Sequence, residues 1–182
     1  MLRGQPGAHH PANRVTEPTS TIRVPANGLE LHVNVWEAAP SAEPRGVAVL
    51  LHGFQDVGVS FDLVAPALAG VGLRVYAPDL RGFGRSGRIT GGAYYHFPDY
   101  VFDVADLIDA LSPDAPVFLV GHSMGGTIAS MYAGTYPERV ALLALLEGVG
   151  PPSMPESVSP DRVRHWVDGV RKTRARPEKA MT

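Results

Sequence analysis

Residues 117–126 read Val117-Phe118-Leu119-Val120-Gly121-His122-Ser123-Met124-Gly125-Gly126. Four apolar, β-favouring residues run straight into a Gly-rich turn, and the pattern from 125 to 136 is helical, so the stretch reads as strand, tight turn, helix. In so sharp a turn the central residue is forced into a strained backbone conformation. Side chains two positions before and two after it would collide unless they are very small. Gly121 and Gly125 meet that need. The strain would hold the Ser123 hydroxyl clear of the backbone, and the following helix would aim unpaired N–H groups and its positive dipole end at charge developing nearby. Ser123 is therefore the candidate nucleophile. Met124 would offer a backbone N–H to an oxyanion, and His122 would orient the turn.

Earlier in the chain, Val47-Ala48-Val49-Leu50-Leu51 is a continuous apolar run, as expected of a strand covered on both faces. The signature recurs at 73–77, 117–120 and 141–146, and helical patterns fill the gaps. Val101, Val104, Leu107, Ile108 and Leu111 fall at helical spacing, for example. In the first gap Pro66 interrupts the pattern of Phe61, Val64 and Leu68, so that helix is kinked or begins late. Nearer the start, β-rich runs at 21–24 and 29–38 flank Asn27-Gly28, the strongest short hairpin signal. An antiparallel pair followed by alternating strands and helices predicts an α/β fold with a doubly wound, mostly parallel sheet of six strands. Ligands of such sheets bind beyond the carboxyl ends of the parallel strands.

Leu50-Leu51-His52-Gly53-Phe54 closes a second central strand at that same edge. A tetrahedral intermediate needs a second donor, and the Phe54 backbone N–H is placed to supply it. Gly53 lets the main chain approach a substrate closely. His52 is expected to pack or hydrogen-bond locally rather than to act as a base.

The chain has 182 residues, 45% of them hydrophobic, enough for one real core. Residues 1–20 mix Gly, Pro, His, Asn, Thr and Ser without apolar periodicity and read as a loose, disordered leader. Residues 21–150 carry the core. Residues 151–182 open with Pro151-Pro152 and continue as a short amphipathic helix. No stretch approaches the roughly 20 apolar residues of a membrane span, and the start lacks the apolar core of a signal peptide, so a cytoplasmic protein without membrane contact is expected. The chain contains no cysteine, which excludes disulfides, thiolate metal sites and cysteine nucleophiles together. Covalent catalysis would fall to another residue, and serine is the natural candidate.

The net charge of −2 hides a basic tail, with seven Lys/Arg against three acids in residues 161–182. A nucleic-acid surface would interleave aromatics with those charges, and only Trp166 does so; a solvated helix face is the better reading. There is no Gly-rich phosphate loop and no His/Asp/Glu cluster at metal-ligand spacing, so neither cofactor nor metal is expected.

Three motifs together, Leu51-His52-Gly53-Phe54, Asp79-Leu80-Arg81-Gly82-Phe83-Gly84-Arg85-Ser86 and Gly121-His122-Ser123-Met124-Gly125-Gly126, resemble the α/β-hydrolase family over residues 21–150. The resemblance implies esterase-like acyl chemistry, a cap inserted after the sixth strand, and a triad in the order Ser, acid, His. With Ser rather than Asp at the elbow, it points away from the epoxide-hydrolase and haloalkane-dehalogenase branches. Asp79 and Arg81 would stabilise their loop. The family's usual acid follows a seventh strand and its His an eighth. This chain is expected to hold strands one to six and the start of a helical cap, with the last two strands missing and little activity alone.

Glu147, ending the sixth strand in Leu145-Leu146-Glu147-Gly148, is a candidate acid, its alternative being a carboxylate that caps a loop or lines the pocket. His165 falls off the apolar face of its helix and is a poor candidate base. His96, in Tyr94-Tyr95-His96-Phe97-Pro98, belongs to an aromatic loop beside the pocket. The leading expectation is a serine hydrolase of a small ester or related acyl substrate, working through an acyl-enzyme on Ser123. A non-catalytic ligand-binding member of the fold is the alternative, and completion by strands of another polypeptide ranks below both. Left uncovered, residues 141–146 would form an apolar edge open to self-association.

Overall fold

A computed structural model describes residues 17–90 and 94–148, together with Arg164 and Asp168. The chain divides into two units, Met1–Gly150 and Pro151–Thr182. In the second, Arg164 and Asp168 are helical. The leader up to residue 16, His165 and Trp166 lie outside the described residues.

The first unit opens with β1 (Ser20–Ala26) and β2 (Leu29–Trp36), antiparallel and joined by a two-residue turn in which Asn27 and Gly28 both take positive φ, 41° and 76°. That is the conformation whose twist matches a hairpin. Then come β3 (Gly46–Leu51), a 3-10 turn (Gly58–Phe61), α1 (Ala65–Gly70), β4 (Leu73–Pro78), α2 (Phe97–Leu111), β5 (Val117–His122), α3 (Met124–Thr135) and β6 (Val140–Leu146). Proline decides the first gap: α1 begins late, with Pro66 in its first turn, where a missing N–H costs nothing. Phe61 and Val64 are left outside the helix, in the 3-10 turn and at the N-cap.

The strand order is β1-β2-β4-β3-β5-β6. β2 meets β4 antiparallel, and β4, β3, β5 and β6 run parallel. Side chains alternate between two cores. Val49, Leu51 and Tyr76 join Val104, Leu107, Ile108, Ile128 and Tyr132 on the α2/α3 face. Ala48, Leu50, Val75 and Ala77 join Phe61, Ala65 and Ala69 on the α1 face. This two-residue alternation inside unbroken apolar runs is why β3 and β4 read as continuous rather than striped.

β6 has the same apolar composition and a different environment. Among the described residues it pairs only with β5, and no residue in it is fully buried, Leu142 being 51% exposed. Among the described residues, 141–146 thus form an exposed apolar edge rather than the strand covered on both faces that their composition suggests. Composition reports what a strand could bury, not where it falls in the sheet order.

Candidate active site

The chain leaves β3 for β4 on one side of it and returns to β5 on the other. The carboxyl ends of β3 and β5 therefore diverge at the switch point of the sheet, where a crevice forms. Leu51 pairs with Gly121 at this end, which sets His52-Gly53-Phe54 directly beside His122-Ser123-Met124.

Ser123 links β5 to α3 with φ 51° and ψ −114°. That lies outside even the left-handed helical well near φ +57°, ψ +47°, a conformation worth about 1–3 kcal/mol of strain. The surroundings hold it there. A methyl group at Gly121 would run into the Gly125 carbonyl, and one at Gly125 into the carbonyls of Leu51 and His52. The Ser123 N–H donates to the Leu146 carbonyl at 2.9 Å, tying the turn to β6. Met124 is the first residue of α3, so its N–H has no carbonyl partner within the helix. Ser123 and Met124 are half-buried.

Facing this turn, Gly53 is buried, and a side chain on it would meet His122 Nδ1 at 3.0 Å and Ser123 Cβ at 3.4 Å. Phe54 is 66% exposed, its ring packed edge to face on Phe83 with centroids 5.8 Å apart. His52 is wholly buried. Its Nε2 accepts the Leu80 N–H at 2.9 Å, so Nδ1 carries the proton and donates to the Gly53 carbonyl at 2.7 Å. Burial pulls its pKa below the ordinary histidine value. A neutral ring with both nitrogens engaged cannot serve as a base, and the expected local role fits this geometry.

Glu147 follows β6 with φ 54°, exposed at the sheet edge beside the elbow. Gly148 behind it is buried against Gly126, each too close to the other for a side chain on either. Among the described residues four non-glycine positions take positive φ: Asn27 in the hairpin, then Gln55, Ser123 and Glu147. The last three follow β3, β5 and β6, so backbone strain gathers at one end of three adjacent strands, as it does at functional sites. Gln55 gave no sequence signal, because the strained position lies in a loop without a motif glycine at that place.

The loop after β4 is stapled from inside. Asp79 accepts the Gly58 and Arg85 N–H groups at 2.8 Å each, and Ser86 takes the His32 N–H at 2.8 Å while donating to the Asp79 carbonyl. Arg81 makes a buried bidentate pair with Asp103 of α2, both contacts at 2.5 Å, and this pairing raises the guanidinium pKa further. Asp103 sits on a helix that reads as merely amphipathic, so nothing local in the sequence could single it out. His96 caps α2, its N–H bonded to Asp99 at 3.2 Å. No described histidine hydrogen-bonds Ser123.

A groove of about 670 Å³, lined by His32, Asn34, Asp79 and Arg85, lies on the β1/β2 side; Ser123, Phe54 and Glu147 do not line it. Among the described residues no group of three or more His, Asp or Glu could hold a metal ion, and no helix is long and apolar enough to cross a membrane.

A family model described as alpha/beta hydrolase fold matches residues 47–181. The chain is 36% identical over 124 residues to a monoacylglycerol lipase of Mycolicibacterium smegmatis, covering 65% of this chain and 42% of that one. It is 37% identical over 103 residues to epoxide hydrolase B of Mycobacterium tuberculosis, covering 57% and 29%. The crystal structure of hypothetical protein PA1622 of Pseudomonas aeruginosa PAO1 superimposes with a TM-score of 0.74 at 30% identity, over 89% of this chain and 54% of that one. The chain thus spans less than half the length of the lipase and of the epoxide hydrolase.

Proposed function

Since this chain belongs to the α/β-hydrolase fold family, we propose that it carries the nucleophile half of a serine hydrolase acting on a small ester or related acyl substrate. The observation that supports this most is the backbone of Ser123, held at φ 51° by glycines on both sides and set against the His52-Gly53-Phe54 turn. Attack of the Ser123 oxygen on the acyl carbon, its proton passing to a base supplied from outside the described residues, gives an oxyanion, which the Phe54 and Met124 N–H groups stabilise. Collapse breaks the bond to the alcohol oxygen, which takes up that proton and leaves, and water hydrolyses the resulting acyl-enzyme with the same base taking the water's proton. A serine at this position supports acyl chemistry over epoxide opening, although relatives of both kinds occur. Phe54, Tyr95 and Phe97, each at least 40% exposed, suit an apolar substrate group.

Glu147 would be the acid that orients the base, since it follows the strand next to that of Ser123. A small acyl compound is the expected partner, with cytoplasmic location and self-association through β6 as further proposals.

A fluorophosphonate probe tests the assignment in the full natural protein that contains this chain. Labelling should occur and vanish in Ser123→Ala, with ester turnover falling at least ~10⁴-fold. An unlabelled wild type, or equal labelling of the variant, favours a ligand-binding protein without turnover instead. Glu147→Gln should cost about 10²-fold or more in kcat if it orients the base; unchanged turnover removes it from the machinery.

A further inference from the structure

The bonds of His52 reach further than a local packing role. Its Nδ1–H holds the Gly53 carbonyl at 2.7 Å, and that carbonyl belongs to the same peptide unit as the Phe54 N–H. The described chain has no cis peptide bonds, so the C=O and N–H of this unit point in opposite directions. Whatever fixes the carbonyl fixes the N–H. The only other described donor to this carbonyl is the Asp56 N–H, at a longer 3.3 Å, across a turn that contains the strained Gln55. Gly53 itself cannot resist rotation, because it lacks the side chain that would narrow its φ and ψ. The other end of the ring is anchored, since Nε2 accepts the Leu80 N–H at 2.9 Å from the loop stapled by Asp79 and by the Arg81–Asp103 pair. Phe83 of that loop packs edge to face on the ring, with centroids 5.4 Å apart.

We propose that His52 is a positioning residue that sets the direction of the Phe54 N–H toward the oxyanion above Ser123, using the loop after β4 as its anchor. The proposal rests on the serine-hydrolase reading and deepens it. His52 touches no reacting atom. It restrains a flexible glycine peptide beforehand, so that the donor need not reorganise as charge develops.

Two substitutions separate the two ring nitrogens. In His52→Asn the side-chain amide can take the place of Nδ1 and still donate to the Gly53 carbonyl, while the bond to Leu80 is lost. In His52→Gln the side-chain oxygen can take the place of Nε2 and accept from Leu80, while the bond to Gly53 is lost. Turnover of p-nitrophenyl butyrate by the full natural protein should fall about 10²-fold in kcat for His52→Gln, with KM within about twofold, and stay within about threefold of wild type for His52→Asn. A folded His52→Gln with wild-type kcat, or equal losses in both variants, overturns the proposal. A purely structural role would instead show as lowered melting temperatures without this kcat asymmetry. Should both variants fail to fold, ¹⁵N spectra of the wild-type imidazole decide: neutral, protonated on Nδ1 at pH 7, or the proposal fails. Loss of turnover in Ser123→Ala is the control on the underlying reading, because its absence would discredit the nucleophile and leave the His52 spectrum to be judged separately.

Discussion

β5 and β6 lie side by side, run parallel and end alike, in a non-glycine residue of positive φ: Ser123 at 51° and Glu147 at 54°. Their surroundings differ. Behind Ser123 the chain enters α3 through Gly125, packed on the Leu51 and His52 carbonyls, and the strand feeding it is half inside the core. Glu147 ends a strand with no fully buried residue and is itself exposed. A positive φ is thus locked by close packing in one place, and in the other borne, among the described residues, by the hydrogen bond from Ser123 to Leu146 and by Gly148 set against Gly126 and the Ser123 carbonyl. Strain is best kept where neighbouring atoms leave no alternative.

The packing lock is tested most forcefully at Gly125. Gly125→Val sets a branched side chain against backbone carbonyls that cannot move independently, and should cost about 3 kcal/mol in urea unfolding. A loss under about 1 kcal/mol would mean that the elbow is not locked by packing.

Next in size is a pH effect from the buried side. His52 and His32 are both held below the ordinary histidine pKa of 6.5, chiefly by burial. Unfolded, these rings take up protons as the pH drops through that value; folded, they do not. Their contribution is fully present above pH 6.5 and is lost as the pH falls toward the folded pKa, by up to ~1.4 kcal/mol per pH unit for each ring. Unfolding measured from pH 7.5 to 5 should show this slope, and His52→Asn should flatten it. A stability independent of pH over that range would place the rings in water.

At the edge the sign reverses. Glu147→Gly removes the left-handed cost of a non-glycine residue and should stabilise by about 0.5–1 kcal/mol by thermal unfolding. Destabilisation instead would reveal a carboxylate contact that anchors the edge. Smallest of all, Leu142→Lys should alter stability by less than about 0.5 kcal/mol, while reducing association in sedimentation. Unchanged association would exonerate β6.

Much of the fold was legible, because the features that carry it are local. Asn27-Gly28 specifies its hairpin, Pro66 delays α1, and Gly121 and Gly125 announce a turn that larger residues could not make. The site was legible in part. The strained strand–turn–helix at Ser123 followed from motif and turn chemistry, and the roles proposed for Ser123 and for the Phe54 and Met124 N–H groups are built on it. The Arg81–Asp103 pair and the His52–Leu80 bond join residues 22 and 28 positions apart, and Gln55 takes its strain from a loop conformation with no sequence mark.

Short-range sterics and hydrophobic period act along the chain, and they suffice to dictate the strand–turn–helix around Ser123 and the alternation that makes a doubly wound sheet. Three features emerge only in the folded molecule: Val140–Leu146 is the edge of the sheet among the described residues, three strained turns gather at one end of that sheet, and a buried imidazole joins two of its loops. Strand order and the pairing of distant polar groups are set by packing in three dimensions, which leaves no periodic trace in the chain.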